Sequence, residues 1–182
     1  PGFAYQVRAD VTAEVRGGVG ATRRRTSSGA KLLAVTVADV QAGRGYNRHG
    51  GWTLLVAWES ETAAWRNLTL FDGFAFVQVQ ANQELVVGPL DFTGFQTPAS
   101  GNVDAHVTVW AYEGDRTITK DYLALGKLGT ACAGLPHLSD TANPVANFFN
   151  STISANGATV GGRIPGFDNQ LGFDLDTPAV NE

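Results

Sequence analysis

The chain has 182 residues, 43% of them hydrophobic and 16% charged, with 22 glycines. That is one domain's length with enough apolar residues for a packed core, and the low charge and high glycine argue against a helical bundle or coiled coil. A net charge of −4 gives no basic surplus for nucleic acid, and no run of about 18 apolar residues is present to cross a membrane.

The predicted elements begin with alternation from Tyr5 to about Arg8, which reads as a strand. Asp10 then caps a short helical turn with Val11 and Val15 on one face and Gly17-Gly18 as its stop. Residues 17–30 read as a polar loop carrying Arg23–Arg25 on a solvated surface. Lys31–Val40 reads as a strand and Gln41–Gly51 as a glycine-rich loop. Gly51–Glu59 is apolar on both faces and reads as a central strand. Further strands are predicted at Arg66–Phe71, Phe74–Gln80, Glu84–Phe92 and Tyr122–Leu128. The clearest alternation spans Asn102–Glu113, and Leu171–Leu175 reads as a last short strand. The final third is otherwise loop, with one helical turn expected after Asn143-Pro144. Short strands at this spacing predict an all-β fold, an antiparallel β-sandwich of jelly-roll type with long loops in the C-terminal third.

Residues 1–112 hold nine acids and nine bases, and residues 113–182 hold eight acids and four bases. The first part is expected to carry the core and the second to carry any site. Cys132 is the only cysteine, so no internal disulfide forms. The chain begins at Pro1 and contains no Met, so residues 1–182 read as a single domain excised from a longer protein.

Catalytic signatures are missing: no nucleophile elbow, no zinc-protease motif, no phosphate loop. His49, His106 and His137 are far apart and read as polar or packing residues. No catalytic residue is assigned, and the pairs Glu113/Asp115 and Glu59/Glu61 are the weaker, glycoside-hydrolase alternative. Ca²⁺ needs six to eight oxygens from carboxylates, amides and carbonyls. The last third offers Glu113, Asp115, Asp121, Asp140, Asn143, Asn147, Asn150, Asp168, Asn169, Asp174 and Asp176, and two clusters within it stand out: Glu113, Asp115 and Asp121, and Asp140, Asn143 and Asn147 with Asp168 and Asn169. The competing reading is that Asp and Asn serve turns, bonding nearby backbone groups. Trp65 in a polar loop and the pair Trp110/Tyr112 on one strand face are the candidate sugar-stacking residues; the competing reading places strand aromatics in the core. An isopeptide bond from Lys31 lacks convincing partners. Asn67-Leu68-Thr69 and Asn150-Ser151-Thr152 match the glycosylation pattern but read as strand and turn residues.

Five motifs occur in order: Gly51-Trp52-Thr53-Leu54-Leu55-Val56-Ala57-Trp58-Glu59, Arg66-Asn67-Leu68-Thr69-Leu70-Phe71-Asp72-Gly73-Phe74, Tyr112-Glu113-Gly114-Asp115, Asn143-Pro144 with Asn147-Phe148-Phe149-Asn150-Ser151, and Asn169-Gln170-Leu171-Gly172-Phe173-Asp174. Together they resemble an uncharacterised family of large exported, cell-surface proteins of bacteria and methanogenic archaea. The resemblance covers about residues 5–176. It implies a secreted or cell-wall location and an adhesive or structural role, with a cell-surface protein or glycan as partner. It brings no activity and no site residues. Relatives continue past the Leu-Gly-Phe-Asp strand, which implies an open edge able to exchange a strand or form an oligomer.

Overall fold

A computed structural model describes residues 4–17, 21–25, 31–41, 43–45, 50–77, 79–80, 83–96, 99–101, 105–112, 114–164, 166–170 and 172–178. Among these residues strands and irregular turns dominate and helix is nearly absent, so the fold is β-rich. It divides into two compact units: Pro1–Ala57 with Asp72–Gln78, and Trp58–Phe71 with Val79–Glu182.

In the first unit, Asp10 starts the only α-helix among the described residues, α1 (Thr12–Gly17). Its Oδ1 accepts from the Thr12 backbone N–H at 2.9 Å, and Val15 N–H donates to Val11 O at 3.0 Å. This is the capped turn read from the sequence. Residues 17–30 are not all loop: β1 (Ala21–Arg25) pairs antiparallel with β2 (Lys31–Val35), from Ala21 opposite Val35 to Arg25 opposite Lys31. β1, Ala-Thr-Arg-Arg-Arg, carries no apolar alternation, so its backbone ladder leaves no trace in hydropathy. The strand predicted to Val40 stops at Val35, and Asp39 then adopts a left-handed φ of 58°, which an extended strand does not accommodate.

The second unit holds a mixed sheet of four strands in the order β3-β6-β4-β5: β3 (Val109–Ala111), β4 (Ile153–Ala155), β5 (Ala158–Thr159) and β6 (Asp174–Thr177). β6 runs antiparallel to β3 and parallel to β4. A tight turn at Asn156-Gly157, both with positive φ, joins β4 to β5. The strand predicted over Asn102–Glu113 is realised at Val109–Ala111; residues 102–104 and 113 lie outside the described residues. Tyr122–Leu128 contributes single bridges, at Ala124 to His137 and, just before it, Asp121 to Asn147. The last strand falls at Asp174–Thr177, shifted from Leu171–Leu175.

Gly51–Glu59, Arg66–Phe71, Phe74–Gln80 and Glu84–Phe92 form no strand among the described residues. Alternation shows that a segment could bury one face, but a strand also needs a hydrogen-bonded neighbour. Many of the apolar side chains there stand exposed, including Leu55, Leu68, Phe76 and Leu90, with Trp58 at 78%. The expectation that residues 1–112 carry the core therefore fails for the described residues. Burial falls instead on Gly114 and on positions between Asn143 and Pro178.

Candidate functional site

The two faces of the sheet differ in chemistry. Residues opposite one another in register share a face. One row reads Trp110, Leu175, Ile153, and all three side chains are only partly buried. The other face carries Asp174 and Asp176, two apart on β6, with Ser154 opposite Asp176. All three are buried, and both aspartates are at 0% exposure. Burying a carboxylate is costly unless its oxygens find partners, so the surrounding groups determine what this site is.

Those partners come from the turn at 140–143. Asp140 Oδ1 accepts from the backbone N–H groups of Ala142 and Asn143, both at 2.9 Å. Asp140 N–H donates to Asn143 O at 2.9 Å, which closes the turn. Asn143 is fully buried. Its Nδ2 donates to Phe148 O at 3.0 Å, which turns Oδ1 towards Ser154. Ser154 Oγ lies 2.7 Å from Asn143 Oδ1 and 2.7 Å from Asp176 Oδ1. A hydroxyl has one proton to donate. Asn150 Nδ2 joins the same turn by donating to Ala142 O at 2.8 Å. Asp176 Oδ2 and Asn150 Oδ1 are buried with no hydrogen-bond partner among the described residues. Burial pushes the Asp176 carboxyl above the ordinary 3.8; hydrogen bonds from Ser154 and Asn143 partly oppose this, and the nearby Asp140 charge adds to it.

Next to it, Asp174 Oδ1 accepts from Thr152 N–H at 3.1 Å. Ser151 Oγ donates to Gly114 O at 2.6 Å and accepts from Gly172 N–H at 3.2 Å. Gly114 has a φ of +107°, and a Cβ there would overlap the Asp174 carboxylate and stand 2.5 Å from Phe149 O. Phe148, the one fully buried apolar side chain among the described residues, meets Phe149 edge-on at 5.2 Å.

The structure thus brings together part of the predicted oxygen set. Asp140 and Asn143 share one turn. Asp121 and Asn147 form a neighbouring bridge, where Asp121 Oδ1 accepts from Phe149 N–H at 2.7 Å and Asn147 Nδ2 donates to Arg116 O at 3.3 Å. Asp115, Asp168 and Asn169 are exposed, and Asp168 offers its backbone carbonyl to Arg116 at 3.0 Å. Glu113 and His49 lie outside the described residues. Among those described, no three of His, Cys, Asp and Glu come together as a metal-binding group. Asp174 and Asp176 are among the oxygens that the last third offers but belong to neither predicted cluster, and Ser154 is not singled out by the sequence. The signal for the two aspartates was present: Asp-Leu-Asp at strand spacing places both carboxylates on one face.

Trp65 is fully exposed, as its polar loop suggests. Trp110 is partly buried and Tyr112 exposed, its ring packed edge-on against Phe173 at 5.4 Å. His137 stacks on Tyr122 at 4.0 Å, the packing role expected of it. Glu59 and Glu61 are exposed. No described helix is long and apolar enough to cross a membrane. The chain matches no family model, no curated protein and no solved structure.

Proposed function

We propose that the chain is a non-catalytic β-sandwich module of jelly-roll type from an exported protein, with an adhesive or structural role at the cell surface and Ca²⁺ taken up in its C-terminal third. One observation carries this reading: the side chains best suited to chemistry are spent on holding loops. Asp121 fixes Phe149, Asp140 fixes its own turn, and Asn143 ties that turn to β4. Such use suits a scaffold better than an active site. The motif series that resembles large exported proteins supports the location. Partners of this module are a surface protein or a glycan, and an open sheet edge would allow strand exchange.

The test is protease shaving of intact source cells. Peptides of this chain should be released while a cytoplasmic control protein stays whole; retention of the chain inside the cells would defeat the reading.

A second reading, a carbohydrate-binding module, is favoured by the full exposure of Trp65. A glycan array with the protein and its Trp65→Ala variant separates the two. Binding lost with the tryptophan would support a lectin-like role, and no binding by either protein would remove it.

A further inference from the structure

We propose that the turn at 140–143 and the inner face of β6 form a Ca²⁺ site whose ligands include the Asp176 and Asp140 carboxylates and the Asn150 carboxamide oxygen. This rests on the Ca²⁺ part of the proposed function and gives it a place.

Hydrogen bonds tie all three residues to one short turn. Asp140 opens it, Asn150 is bonded to its Ala142 carbonyl, and Asp176 is joined to Asn143 through Ser154. Asp176 is fully buried and Asn150 nearly so, yet Asp176 Oδ2 and Asn150 Oδ1 have no hydrogen-bond partner among the described residues. An acceptor buried without a donor is destabilising, and a buried carboxylate oxygen more so. Asp176 forms no ion pair among the described residues that would offset its charge. Ser154 Oγ has one proton for the two oxygens it touches, Asn143 Oδ1 and Asp176 Oδ1, and Thr152 Oγ1 also donates to Asp176 Oδ1, at 3.5 Å. A cation supplies what Asp176 Oδ2 and Asn150 Oδ1 lack.

The donor set selects the ion. It is all hard oxygen, from carboxylate, carboxamide and hydroxyl, with neither imidazole nor thiolate among these residues. The oxygens come from a turn, from the segment before β4 and from two strands. Ca²⁺ accepts such irregular oxygen sets, whereas Mg²⁺ demands near-ideal octahedral geometry and Zn²⁺ favours nitrogen and sulfur.

The experiment uses the full chain, stripped with chelator and titrated with CaCl₂ by calorimetry and thermal melting. Ca²⁺ should raise the melting temperature by roughly 5–10 °C at about a hundredfold excess over Kd, with far less effect from Mg²⁺. Asp176→Asn keeps the shape and removes the buried charge, so its metal-free form should melt at or above the wild type while the Ca²⁺ shift disappears. Asn150→Asp adds a charge, so its metal-free form should melt lower and its Ca²⁺ shift should grow. A wild-type chain that neither binds nor responds to Ca²⁺ would overturn both the site and the Ca²⁺ reading. A Ca²⁺ shift that survives in Asp176→Asn would overturn this site alone. Neither result bears on surface location, which protease shaving decides separately.

Discussion

The segment from Gly51 to Phe95 and the segment from Asn143 to Asp176 invert the usual relation between composition and burial. The first is dense in Trp, Phe, Leu and Val, and many of these side chains are exposed. The second buries Asn, Ser, Thr and Asp around a single phenylalanine. An apolar segment gains from any neighbour, in any geometry. A polar interior is stable only when each donor meets an acceptor, so its residues specify a single arrangement. Among the described residues burial thus falls where hydrogen-bond directions are fixed, not where hydrophobicity is greatest.

That contrast can be broken most severely at Gly114. Gly114→Ala would drive a methyl group into Asp174 and Phe149 O and would also oppose the positive φ. A loss of about 3–5 kcal/mol in urea unfolding is expected, against near neutrality for a change at exposed Leu68. Asn143→Ala comes next. It removes the donor to Phe148 O and leaves a cavity beside Ser154 in a buried setting, for a loss of about 2–3 kcal/mol by the same measurement.

A smaller effect is the pH response in chelator. The folded Asp176 carboxyl is raised above 3.8, first by burial, so the folded state holds its proton more tightly than the unfolded chain does. Its contribution is fully present below the unfolded value and is lost as pH rises through the folded one. Unfolding midpoints should therefore fall over that interval in the wild type. In Asp176→Asn that component should vanish; an identical slope in both proteins would refute it. The smallest effect is expected at Asp10, lowered first by hydrogen bonds from Thr12. Its support for α1 is present above the unfolded value and is lost as pH falls through the folded one. Asp10→Ala should speed amide exchange at Thr12 and leave exchange on β6 unchanged.

What the sequence made legible follows the same division. The Asp10 cap was readable because a short polar side chain before Val11 and Val15 acts within a few residues. The turn role of Asp140 was readable for the same local reason. β1 was not, since its ladder is formed by backbone groups whatever the side chains are. Asp176 was legible as one acidic oxygen among many, but its burial beside Ser154 was not, because period-two reading assumes that the buried face is the apolar one. Here Leu175 and Ile153 face the more open side. The long strands expected between Gly51 and Phe92 rested on side-chain alternation alone, which cannot say whether a pairing neighbour exists.

The strand order has a consequence in time. β6 is the last of the described strands yet occupies an interior position, flanked by β3 and β4. The β4–β5 hairpin can close as soon as it is synthesised, because its pairing is local. β3 has no such option: Val109 must wait for Asp176, far along the chain. Emergence of Asp174–Thr177 from the ribosome is the event that joins an early hairpin to a waiting strand. Until then the nascent chain carries unpaired edges and no closed polar interior.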